Sequence, residues 1–195
     1  MSHTAVIIEQ SQINLDESID HILSLANSLG DETSIVIFGS ENTDILENLI
    51  GLDCSQIYVL KNHMGYENPL PDEVIISYIE WFCKNNNVDL VLMNETSWSL
   101  NIAPRVAFRI EGAYAHDCIA IKRAQDNELS CIRPVYGGNA LAHISLTGNT
   151  PKVATIRARP SQEIKTILDT DTPIIELEPK INNEDIRVKI IKTVT

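Results

Sequence analysis

Residues 71–93, PDEVIISYIEWFCKNNNVDLVLM, decide the fold class of this chain. Pro71 brings the fixed φ of a first helical position, and Val74, Ile75, Tyr78, Ile79 and Phe82 recur at the spacing of one helix face. Asn85-Asn86-Asn87 ends that helix. Val88 to Met93 follows as a nearly continuous apolar run, as a strand covered on both faces requires. Helix and doubly covered strand in alternation are the grammar of a parallel sheet with helices on both sides.

The same unit recurs upstream. Thr4 to Ile8 is a short apolar strand; Asn14 and Glu17 open a helix that carries Ile19, Ile22, Leu23, Ala26 and Leu29 on one face and stops at Gly30. Ser34 to Phe38 is a second strand, Thr43 to Ile50 a short helix with Gly51 behind it, and Gln56 to Leu60 a third strand. Past Met93, a polar loop (Asn94-Glu95-Thr96-Ser97-Trp98-Ser99) leads to a helix near Ala103 to Ile110. Four such units in succession predict a three-layer α/β/α domain with a mainly parallel sheet. Ligands of such sheets gather beyond the carboxyl ends of the strands, which makes the 94–99 loop the place to seek a small-molecule site. Its polar residues serve equally well as the cap of the next helix. Arg105 is expected either at or near the carboxyl edge of the sheet, forking onto a carboxylate or backbone carbonyls, or as a plain solvated helix arginine, with Ala103 and Val106 toward the core.

From residue 113 the pattern turns β-rich. Cys118 to Ile121 and Leu129 to Ile132 read as a hairpin. Residues 133–160 follow as RPVYGGNALAHISLTGNTPKVATIRARP. Arg133-Pro134 forces an extended entry, because the residue before a proline is pushed out of the helical region. Tyr136-Gly137-Gly138-Asn139 sets two residues free to take positive φ beside an aromatic ring, either a plain turn or a bare backbone surface on which another domain packs. Ala140 to Leu146 and Val153 to Ile156 are strands separated by the turn residues Gly148 to Pro151, and Pro173 to Leu177 and Arg187 to Val194 complete the series. The expectation is a single domain over residues 1–195, an α/β core with a β-rich C-terminal extension.

Composition narrows the function. Apolar residues make up 44 % with a mean hydropathy of −0.04, and no apolar run approaches the length of a membrane span. The N-terminus shows no basic n-region or signal core, so a cytoplasmic location is expected, or an organelle matrix after a removed presequence. Residues 1–60 hold ten Asp or Glu and no Lys or Arg within a net charge of −12, which removes the basic face that a nucleic-acid binder needs. Cys54, Cys83, Cys118 and Cys131 form no C-x-x-C pair and read as buried thiols, and the scattered histidines, His116 and His143 among them, lack metal-ligand spacing. There is no P-loop, G-x-G-x-x-G or nucleophile elbow. Asp169, Asp171, Glu184 and Asp185 have no neighbours suited to acid–base work, so no catalytic residue is expected.

The 133–160 segment resembles the end of the N-terminal domain of the electron transfer flavoprotein alpha subunit, whose pattern there is R-P-x-Y-G-G-N-A followed by P-K-V-x-T-x-R. The likeness extends through Ala5 to Glu9, Asp89 to Leu92, Thr96-Ser97, Ala103 to Ala107 and Arg187 to Ile191. Where that family has G-R-D-L, this chain has Ser99-Leu100-Asn101-Ile102. The resemblance implies a fold like that of the adenine nucleotide alpha-hydrolase group and a scaffold role in flavin-mediated electron transfer from dehydrogenases. The partner implied is a beta subunit, and FAD is implied in the full complex, held by a C-terminal domain that this chain lacks. Arg105, Tyr136, Gly137, Gly138 and Asn139 are then the expected interface residues. The alternatives are a stand-alone nucleotide-binding module of the same fold group or a cofactor-free protein-interaction domain.

Overall fold

The structure, a computed structural model, describes residues 2–9, 17–29, 32–39, 46, 49–62, 70–124, 128–148, 151–157, 172–181, 186–188 and 191. The described elements run β1 (His3–Ile7), α1 (Glu17–Asn27), β2 (Glu32–Phe38), β3 (Gln56–Leu60), α2 (Asp72–Asn85), β4 (Leu90–Asn94), α3 (Ser97–Arg109), β5 (Ala113–Cys118), β6 (Ala120–Arg123), β7 (Leu129–Val135), β8 (Ala140–Leu146), β9 (Lys152–Ile156) and β10 (Ile174–Leu177). Seven strands form one parallel sheet in the order β10-β3-β2-β1-β4-β9-β5, and β6-β7-β8 form a separate antiparallel sheet.

Alternation along each buried strand divides the core into two halves. Ala5 and Ile7 of β1 face a layer built by Val74, Tyr78, Ile79 and Phe82 of α2 and Ile102, Ala103 and Val106 of α3. Val6 and Ile8 face the opposite layer, where α1 supplies Ile19, Ile22, Leu23 and Ala26. That second layer is completed by a sheet, since Ile121, Leu129, Cys131 and Leu146 of the antiparallel strands pack beside Ala115 and Ala154. The β-rich extension therefore takes the place of a covering helix. The three-layer α/β/α expectation holds.

Several expectations meet a different outcome. The segment 113–118 is a parallel edge strand that periodicity does not reveal, because AYAHDC has no apolar run and buries only every third residue, Ala115 and Cys118. Strands 152–156 and 174–177 return to the parallel sheet at widely separated positions, a placement that depends on long-range register. Helix α3 begins at Ser97, well before Ala103. Arg187 and Val188 are not in a strand, and most of the remaining run to Val194 lies outside the described residues, as do Asn14, Gly30, most of Thr43 to Ile50, and Asp169, Asp171, Glu184 and Asp185.

Candidate functional site

Strand order reverses between β1 and β4, with β2 and β3 on one side of β1 and β4 and β9 on the other. Loops leaving such neighbouring strands part in opposite directions, and the crevice between them is where doubly wound sheets take ligands. Asn94 ends β4 at this crevice and is 5 % exposed. Its Nδ2 donates to Ser18 Oγ at 2.9 Å, while its Oδ1 is buried without a hydrogen-bond partner. Thr96 caps α3: its Oγ1 accepts from the Ser99 N–H at 3.1 Å, and the Ser99 hydroxyl accepts from the Thr96 N–H at 2.9 Å. This reciprocal box starts the helix at Ser97, so the 94–99 loop performs the capping role expected of it. Thr96 Oγ1 also lies 3.4 Å from Glu9 Oε2, to which it donates.

Farther along the carboxyl rim, Asp117 has a φ of 56°, uncommon for a residue with a side chain. Its N–H is held by Glu95 Oε2 at 3.1 Å and by Thr155 Oγ1 at 3.2 Å, and its carboxylate receives Arg157 through Nε at 2.8 Å and Nη2 at 2.7 Å. The kink lies where the β5–β9 register shifts and lets the chain pass from the parallel sheet to the antiparallel one. Sequence reasoning missed Asp117 and Arg157, because nothing local marks a left-handed aspartate that a distant arginine holds. The rim thus carries Glu9, Glu95 and Asp117, with Arg157 committed to the last.

The β7–β8 hairpin leaves the core as an arm. Along one face of β7, Leu129 and Cys131 are buried, Arg133 and Val135 are half-buried, and the chain then reaches Tyr136 at 84 % exposure. On β8 the gradient runs back from exposed Ala140 and Leu141 to buried Leu146. At the tip, Tyr136, Gly137 and Gly138 have φ of 53°, 66° and 92°, and the Asn139 side chain donates to the Tyr136 carbonyl at 2.9 Å. The positive φ expected at both glycines is present, and Tyr136 shares it at a cost of about 1 kcal/mol. A β-carbon on Gly137 or Gly138 would meet nothing within 4 Å, so backbone conformation rather than space selects glycine. Valine at position 138, harmless at negative φ, is strained here.

Arg105 does not sit at the carboxyl edge. It lies about 12 Å along α3 from the helix start, on the outer surface, and its Nη2 approaches Glu73 Oε1 at 3.5 Å as a single long contact rather than a fork. Ala103 and Val106 are fully buried, as expected. Cys83, Cys118 and Cys131 are buried free thiols and Cys54 is half-buried; burial pushes Cys54 up to about 11 and Cys83 up to about 12. Among the described residues no group of three or more His, Cys, Asp or Glu could hold a metal ion, and no helix is long and apolar enough to cross a membrane.

Fold and site together define a three-layer α/β/α domain with an acidic carboxyl rim and a projecting β-arm. The family model for the electron transfer flavoprotein domain matches residues 4–181, and the chain belongs to that family, whose members are electron-transfer proteins. It is 26 % identical over 181 residues to the electron transfer flavoprotein subunit alpha of Thermoanaerobacterium thermosaccharolyticum, covering 90 % of this chain and 52 % of that protein. It is 23 % identical over 198 residues to the subunit alpha of Megasphaera elsdenii, covering 97 % and 57 %. Protein FixB of Clostridium saccharobutylicum is 24 % identical over 174 residues, covering 87 % and 50 %. The chain thus spans about half the length of these curated relatives.

Proposed function

We propose that this chain is the scaffold domain of an electron transfer flavoprotein, packing against a beta subunit and carrying a mobile FAD domain in a complex that takes electrons from dehydrogenases. The observation that carries the reading is the arm tip. Tyr136 holds a left-handed backbone, contributes nothing to the core and presents an aromatic ring to solvent beside Gly137, Gly138 and Asn139. An exposed aromatic on a backbone conformation with a cost attached has the character of an interface anchor. Arg105 on the outer helical layer would belong to a second, weaker contact. The described residues do not suit FAD itself: a pyrophosphate needs donors and positive charge, whereas the rim offers Glu9, Glu95 and Asp117 with Arg157 already paired. The flavin is accordingly assigned to another domain, and the purified chain should be colourless; a stoichiometric flavin spectrum that survives gel filtration would overturn this. With the beta subunit from the same cell, Tyr136→Ala should weaken assembly by about tenfold or more while leaving the thermal midpoint of the chain unchanged. Unweakened assembly would remove the arm from the interface.

A second reading, a nucleotide-binding module, has one observation in its favour: the unpaired Asn94 Oδ1 at the crevice could accept from a base amine. The acidic rim opposes the phosphates. Calorimetric titration with AMP and ATP separates the two readings.

A further inference from the structure

Arg133 stands apart from the other arginines that the described contacts define. Arg105, Arg109 and Arg157 each reach a carboxylate, on Glu73, Glu80 and Asp117 respectively. Arg133 reaches none among the described residues, in a chain with 27 Asp and Glu against 15 Lys and Arg. Its Nη1 donates to His116 Nε2 at 2.7 Å, which places the ring proton on Nδ1, and its Nε is buried with no partner. His116 in turn stacks on Tyr114 at 6.1 Å between ring centroids and 24° between planes. The guanidinium is therefore braced from one side by two rings of β5, the outer strand of the parallel sheet, at the root of the arm. A half-buried cation with an orphaned N–H is a standing cost unless an anion arrives to meet it.

We propose that Arg133, positioned by His116 and Tyr114, receives an aspartate or glutamate side chain from the partner subunit that seats on the β7–β8 arm; the inference rests on the arm being an interface. With Nη1 taken by His116, the Nε and Nη2 edge is left, the edge that forks onto a carboxylate in two parallel hydrogen bonds. Seating of the carboxylate has to uncover Nε, which the chain alone keeps buried. The charge balance favours a carboxylate over a phosphate. The corner supplies one guanidinium in a chain of net charge −12, so a single negative charge is matched and a dianion is not. On the same face of the hairpin as Arg133, half-buried Val135 and the cross-strand partner Ala142 give such a carboxylate an apolar border typical of a protein contact.

The test uses the chain and the beta subunit from the same cell. Arg133→Ala should weaken assembly at least tenfold and flatten its salt dependence, whereas Arg133→Lys, which keeps the charge but loses the fork, should recover only part of the affinity. Replacing the beta subunit's Asp and Glu residues one at a time by Asn and Gln, which leaves this chain's folding untouched, should find one substitution that weakens wild type and has no further effect on Arg133→Ala. If Tyr136→Ala weakens assembly but neither Arg133 substitution nor any of the carboxylate substitutions does, the arm remains an interface and the assignment to Arg133 is wrong. If Tyr136→Ala also has no effect, both fall.

Discussion

A β-carbon on Gly112 would lie 2.3 Å from the Pro151 carbonyl oxygen, a distance no alanine tolerates. The contact lies where β5 starts beside β9: Ala113 pairs with Lys152 across the two strands, so the backbone before each must pass at bare-glycine range. Gly112→Ala should therefore destabilise the protein by about 1–3 kcal/mol, the usual cost of a forced small-to-large change, read from urea unfolding; an unchanged midpoint would show that the strands can part at no cost. At this scale the sequence displays the residue but not the reason. The glycines of the arm tip differ, because paired glycines beside a tyrosine signal positive φ locally. Asp117 and Arg133 were illegible as special residues, since what singles them out is a partner gained or missing far along the chain.

Between elements, α2 and α3 are tied by Glu80, which accepts from Lys84 at 2.7 Å within its own helix and from Arg109 at 3.1 Å across the pair. Burial alone would raise the Glu80 carboxyl, but the hydrogen bonds from Lys84 and Arg109 outweigh it and hold the group below its ordinary value of 4.5. The folded state thus favours the ionised form, and the stabilisation is present above the ordinary carboxylate range and lost as pH falls from about 4.5 through the lower folded value. Glu80→Gln should be slightly less stable near neutrality and should show a shallower fall in urea midpoint on acidification; parallel curves for the two proteins would contradict the assignment. The stripes of α1 and α2 were legible because 3.6-residue periodicity is a local property. The start of α3 was not, because the Thr96–Ser99 box places polar residues where an apolar stripe would be sought and Pro104 sits inside the helix.

Across the whole molecule, β9 is the strand on which the architecture turns, since it enters late in the chain between β4 and β5. A chain stopped at Gly148 would leave both neighbours without their shared partner and should show no cooperative unfolding transition, by far-UV circular dichroism in urea. A cooperative transition of wild-type steepness would mean that β5 and the arm are accessory to the fold. By itself the sequence determined that strands and helices alternate, that the strands are covered on both faces, and that a turn of positive φ closes the β7–β8 hairpin. Each of these is written in periodicity or in the conformational freedom of a few consecutive residues. Only the tertiary structure decided that a three-stranded sheet takes the place of a covering helix, that β9 and β10 lie on opposite sides of β1, and that Arg105 faces outward from the helical layer. Those outcomes depend on which buried surfaces meet at long range, and no stretch of adjacent residues encodes that choice.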